Sequence, residues 1–246
     1  MRVVVNTRRV RRNRQIAQYA FFVTLGVLIL GLFVTNAAPN NPILLIAPLI
    51  VLPVGVIATI YSVRMANLWL REPRPEAVLQ QGLKGQSSRT VLYHYYLPAR
   101  HLLISPQGVF SLTIRPQDGT FTVKGDRWRR HGSMLSQFMT FFRQDSVGSP
   151  HLDAVNQAAR TQQLLDKALP DSGVIIQPLI VMIGPYAEVE VEESEIPILY
   201  ADSKKKPNLK TFFKDIKKGE EEAAPSLTDD QIAQFEQALG IVAEEQ

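Results

Sequence analysis

Cysteine is absent from all 246 residues. That absence excludes disulfide frameworks, thiolate zinc sites and cysteine nucleophiles, and it suits a reducing compartment. Acid is nearly absent from the front of the chain. Residues 1–74 hold nine arginines and one carboxylate, Glu72, whereas residues 144–246 hold nine basic and nineteen acidic residues. The net charge of +4 therefore belongs to the front. Beyond residue 74 the balance is acidic, which weakens any inference from overall charge to nucleic-acid binding. Histidine is also scarce. His94, His101, His131 and His151 show no metal-ligand spacing, and the first two stand beside apolar residues and read as structural. Gly82-Leu83-Lys84-Gly85-Gln86-Ser87 lacks the Gly-Lys-Ser/Thr order of a phosphate-binding loop, so its glycines read as packing residues.

Charge of either sign is missing from two long apolar runs, Ile16–Val34 and Ile43–Val63. A bilayer core of roughly 30 Å needs about 20 helical residues, and each run is close to that. The stretch 35–42 between them, Thr35-Asn36-Ala37-Ala38-Pro39-Asn40-Asn41-Pro42, is uncharged and rich in turn formers. The pattern predicts a transmembrane hairpin over 16–66. Pro48, Pro53 and Gly55 in the second run are better tolerated in lipid than in water. Arg2, Arg8, Arg9, Arg11, Arg12 and Arg14 precede the first run, and Arg64, Arg71 and Arg74 follow the second. Positive flanks around a neutral loop predict both termini in the cytoplasm, as in a bacterial-type inner-membrane, multi-pass protein. The N-terminal arginines also suit anionic headgroups, and Tyr61 and Trp69 suit the interface. A cleaved signal peptide is disfavoured by the second run so soon afterwards. A buried soluble hairpin is disfavoured by run length and the flanking arginines.

The organisation expected is a basic N-terminus (1–15), the hairpin (16–66, with spans at about 16–34 and 43–63), a linker (67–77), a domain (78–205) and a C-terminal helical tail (206–246). The fold class expected is α/β, a mixed sheet flanked by helices. Glu76–Tyr96 has helix-like apolar spacing interrupted at Gly82 and Gly85. Strands are predicted at His101–Ser105, Val109–Ile114 and Thr120–Lys124, a helix at Asp153–Leu169 and a buried strand at Val174–Ile183. The alternation Glu188, Val189, Glu190, Val191 reads as an edge strand with one wet face. Helices are predicted at Leu209–Lys218 and Thr228–Gly240, the latter with a Thr228–Gln231 capping box. Lys217–Glu222 reads as a solvated linker. Asp118 and Asp126 read as turn residues, and Glu76 as solvated.

Gly82-Leu83-Lys84-Gly85, the turn Ser105-Pro106-Gln107-Gly108-Val109-Phe110, Asp118-Gly119, Trp128, the Gln157 helix, the strand Val174–Ile183 and the final Leu227-Thr228-Asp229-Asp230-Gln231-Ile232 follow one another in an order that resembles the nuclease-related (NERD) family. The resemblance spans roughly residues 78–240 and implies a restriction-endonuclease-like fold. It implies an Asp eight residues before the turn glycine, and a Glu and a Lys five and seven after it. Those two carboxylates hold Mg²⁺, and the Lys offsets developing charge. Counted from Gly108, those positions hold Arg100, Thr113 and Arg115, and a helix Glu of the family is replaced by Gln86. A guanidinium at the Asp position repels a divalent cation. The expectation is a domain without catalytic residues, resident metal or cofactor, with Mg²⁺ entering only if divergent ligands serve.

Lys124-Gly125-Asp126-Arg127-Trp128-Arg129-Arg130-His131 is the remaining functional candidate. Arg115, Arg127, Arg129 and Arg130 with Trp128 could grip phosphates and stack a base. Alternatively Trp128 is a core residue and the arginines face water or a membrane surface. The partners expected are the lipid bilayer and either a protein or a nucleic acid, with oligomeric state open. The acidic tail either packs on the domain or covers the basic patch.

Overall fold

The computed structural model describes residues 1–37, 42–132, 147–219 and 223–241. Residues 38–41 of the expected inter-helix stretch 35–42 and the linker acids Glu220–Glu222 lie outside the described residues; residues 35–37 and 42 of that stretch are helical. The described residues divide into a helical unit, Thr7–Glu72, and a sheet unit that joins Met1–Asn6 to the described residues from Pro73 onward.

The helical unit is a hairpin of α1 (Thr7–Ala37) and α2 (Pro42–Trp69). Both helices are long and apolar enough to cross a membrane, through Thr7–Phe33 and Leu49–Trp69. Only 17% and 11% of those windows is buried, whereas the core helix of a water-soluble protein is mostly covered. Small residues let the two helices approach, as in lipid-embedded pairs. A Cβ at Gly31 would lie 2.3 Å from Val51, and one at Gly55 would lie 2.9 Å from Leu28. The Thr24 hydroxyl donates to the Ala58 carbonyl at 3.2 Å.

The sheet unit is built on a six-stranded mixed sheet in the order β1-β2-β3-β4-β7-β9. Its strands are β1 (Arg2–Val5), β2 (Val91–His94), β3 (His101–Ser105), β4 (Gly108–Arg115), β7 (Ile176–Met182) and β9 (Ile198–Tyr200). The pairs β2/β3 and β3/β4 are antiparallel, and β1/β2, β4/β7 and β7/β9 are parallel. One face carries Tyr93, Leu102, Ile104 and Val109, packed with Leu165 of α4 (Pro150–Ala168) and Phe235 of α6 (Asp229–Ala238). The other carries Leu92, Leu103, Phe110 and Leu112, packed with Leu79 of α3 (Pro75–Gly82) and Phe213 of α5 (Leu209–Lys218). Helices α5 and α6 each begin at a capping box, on Asn208 and Thr228. The sequence expectation of an α/β domain with a mixed sheet and flanking helices is met.

Beyond Arg115 and Met182 the chain continues as a second, three-stranded sheet in the order β6-β5-β8: β5 (Gly119–Lys124), β6 (Arg127–Arg130) and β8 (Ala187–Glu193). The bend requires Gly184, where a Cβ would lie 2.6 Å from the Gln117 carbonyl oxygen. Asp118 fixes it by accepting the Tyr186 N–H at 2.8 Å. Asp126 lies in the β5–β6 turn, and β8 is an outer strand, as its alternation suggests.

Two segments depart from expectation. The helix-like spacing over 76–96 ends at Gly82, and Val91–His94 is a strand whose four residues are all buried. A strand covered on both faces reads as an unbroken apolar run, which helical periodicity fits equally well. The stretch 1–15 divides. Arg2–Val5 pairs parallel with Val91–His94, and α1 starts at Thr7. The Arg2 N–H donates to Thr90 at 2.8 Å and the Asn6 N–H to His94 at 3.0 Å. Val4 is buried. The linker is short, since α2 runs to Trp69 and α3 starts at Pro75.

Glu236 of α6 clamps this strand. It receives Arg2 Nη2 at 2.7 Å, Arg2 Nη1 at 3.2 Å and the Tyr93 hydroxyl at 2.6 Å. Burial, reinforced by Glu236, pushes the Tyr93 phenol well above its ordinary pKa. Glu236→Ala leaves the Tyr93 hydroxyl and the Arg2 guanidinium without their shared acceptor. Loss of hydrogen bonds to a charged acceptor costs about 1.5–3 kcal/mol, so denaturant titration of the detergent-solubilised chain is expected to show a destabilisation of that size.

Candidate functional site

The β3–β4 hairpin turns through Pro106–Gln107, with the Ser105 hydroxyl accepting the Gln107 N–H and donating to the Gly108 carbonyl. Gly108 has φ +137°, where its Cβ-less backbone is needed. Residues Ser111, Thr113 and Arg115 alternate onto the face of β4 that meets α4. The Arg115 guanidinium binds the Asp153 carboxylate of α4. Ser111 Oγ, Thr113 Oγ1 and Arg115 Nε are buried without a hydrogen-bond partner among the described residues. Arg100 lies in the turn just before β3, and its carbonyl receives the Tyr95 N–H. Gln86 lies in the turn after α3. Thr113 and Arg115 are thus brought together on one strand face, with Asp153 joining them from a helix.

This set does not fit a divalent cation. Hard cations take several oxygen ligands, yet the β4 face offers two neutral hydroxyls and a guanidinium, and Asp153 is already engaged by that guanidinium. Among the described residues no group of three or more His, Cys, Asp or Glu is arranged to hold a metal ion.

The basic stretch divides by strand alternation. In β6, Arg127 and Arg129 are exposed, whereas Trp128 and Arg130 are half-buried. Trp128 packs edge-on against Phe121 with ring centroids 6.1 Å apart. Its indole N–H donates to His151 Nδ1 at 2.9 Å. Because Nδ1 accepts, the neutral ring carries its proton on Nε2, which faces Ser194 Oγ at 2.8 Å. Ser194 Oγ in turn donates to the Ile196 carbonyl at 2.6 Å. Burial lowers the His151 pKa, against opposing pulls from Asp126 and Glu195. Arg130 stands over the Phe121 ring at 5.9 Å and donates to the Asp118 carbonyl at 3.1 Å. Arg115, by contrast, has a side chain only 14% exposed. Helix α6 packs on the sheet core rather than on β6, so the last helix of the acidic tail does not cover the basic strand.

His94 and His101 are directly paired across β2 and β3. Their Nδ1 atoms lie 2.7 Å apart in a fully covered site, and His94 Nε2 has no partner among the described residues. One Nδ1 must carry a proton and the other must accept it; with burial disfavouring the charged form of each ring, the two are opposite neutral tautomers. The sequence held both histidines seven residues apart, but their contact depends on hairpin register.

Burial lowers His94 to about 4. Burial, then the charges of His94 and Arg100, hold His101 well below the usual imidazole range. Unfolded histidine titrates near 6.5, so the unfolded chain binds the extra protons first. The contribution of both rings is complete above that value; that of His94 is lost as pH falls toward about 4, and that of His101 falls in the same direction. The slope is about 1.4 kcal/mol per pH unit for each ring. Denaturation at successive pH values should show this fall, and the double variant His94→Leu/His101→Leu should flatten it.

Comparison with protein-family models, with curated proteins and with solved structures finds no match to this chain.

Proposed function

We propose that this chain anchors an α/β domain to the inner membrane of a bacterial-type cell through a two-helix hairpin. Both flanks of the hairpin lie in the cytoplasm, and the domain works there as a binding or scaffold module. The observation that carries this reading is β1. Residues 2–5 precede the hairpin, yet they pair with Val91–His94, which follow it. A strand and its sheet must share one side of the bilayer, so the chain crosses an even number of times between them. A cleaved leader would remove β1 from the sheet. The arginine-rich flanks favour that shared side being the cytoplasm.

The same domain is read as nuclease-related, with the family's metal-dependent chemistry lost. Supporting this, Thr113 and Arg115 occupy β4 where a Glu and a Lys would be needed, and Asp153 is held by Arg115. The module's contact with an acidic protein or nucleic acid is assigned to the exposed Arg127 and Arg129 of β6. Trp128 and Arg130 support that strand from its inner face.

A cysteine-free chain permits a direct test. Single cysteines at Asn40 and Ser88 are introduced separately and labelled with an impermeant maleimide in whole spheroplasts and after lysis. The expected result is outside labelling at position 40 only. Labelling of position 88 from outside would refute the topology. With the purified chain, Arg127→Ala/Arg129→Ala is expected to weaken any salt-sensitive binding to labelled DNA or RNA. Metal-dependent cleavage that survives purification would refute the loss of chemistry.

A further inference from the structure

Helix α5 carries an unassigned charged surface. Its apolar stripe, Leu209, Phe213 and Ile216, is buried on the sheet, which fixes the helix in rotation. Lys210, Lys214 and Lys217 then recur at i, i+4 and i+7, so they form one row along an exposed flank. The preceding loop adds exposed Lys204 and Lys206. None of these five ammonium groups has a carboxylate within 4.0 Å among the described residues. Like charges at i, i+4 oppose helix formation, so the row is retained at a cost that a local anion would relieve.

We propose that this lysine row docks α5 onto anionic phospholipid headgroups of the leaflet from which the hairpin emerges. This rests on the membrane reading above. Lysine offers a point charge suited to a diffuse headgroup layer, whereas planar bidentate recognition of phosphate favours arginine. The only phenylalanines of α5 are turned inward, Phe212 and Phe213 packing with Phe110, so the row offers no platform for stacking a base. Tethering keeps the leaflet at high effective concentration, which lets a weak charge attraction hold the domain down.

The test uses the full chain with Ser203→Cys, an exposed site beside the row, carrying a donor fluorophore. The protein is reconstituted into phosphatidylcholine vesicles with or without phosphatidylglycerol, all bearing acceptor-labelled headgroups. Flotation after an alkaline wash is read first, because it reports the hairpin and not the row. Energy transfer should be higher in phosphatidylglycerol vesicles and should fall at high salt. In Lys210→Gln/Lys214→Gln/Lys217→Gln the docked-to-undocked ratio should fall by about two orders of magnitude, while flotation is unchanged. Energy transfer that ignores lipid charge, or survives the triple substitution, would overturn the proposal. Failure to float would overturn the membrane reading itself, and the docking proposal with it.

Discussion

A four-residue parallel strand at the edge of a sheet has little to hold it. β1 stays because Val4 enters the core, two main-chain bonds tie its ends to Thr90 and His94, and Glu236 grips both Arg2 and Tyr93. Much else depends on that contact. It joins residues on either side of two long apolar helices into one sheet, and so makes the hairpin an insertion within a folded unit. It also ties α6 to the start of the chain, which places the final helix in the core. A fragment beginning after the hairpin lacks β1, leaving the β2 edge unpaired and the Glu236 carboxylate with only one of its two partners. Biochemistry on this domain therefore calls for a form that keeps residues 1–6.

The β4 strand is required by the fold independently of any chemistry on its face. Val109, Phe110 and Leu112 are core residues on opposite faces of the sheet, so the strand is required for stability whatever Thr113 and Arg115 do. On the helix-facing side a guanidinium–carboxylate pair closes the gap between β4 and α4. The remaining charge is distributed over the surface. Arginines lie on the outer strand β6, glutamates on the outer strand β8 and lysines along α5. Charged outer strands discourage unwanted sheet extension, and β8 has further cover. Lys205 Nζ donates to the Pro185 and Ala187 carbonyls, and the Tyr200 hydroxyl accepts the Val189 N–H.

Much of this was legible in the sequence, for identifiable reasons. The β3–β4 hairpin, α4, α5 and α6 have strong turn, capping and amphipathic signals, and their positions follow. The two apolar helices declare themselves by length. β1 does not, because Arg2–Val5 is too short to show a period and its partner lies 89 residues away in sequence. β2 is hidden by burial on both faces. β6 is hidden because Arg-Trp-Arg-Arg looks like a solvated charge run, and only pairing with β5 shows that alternate residues turn inward. The His94–His101 contact and the Arg115–Asp153 pair are products of register and helix placement, which no local pattern encodes.

The pairing of β1 with β2 is the claim on which the architecture rests, and amide hydrogen exchange on the full chain in detergent tests it most directly. The Asn6 amide, bonded to the His94 carbonyl, is expected to be protected and to lose protection together with Val91–His94. Exchange of residues 2–6 at the rate of an unstructured tail, with β2 still protected, would contradict it.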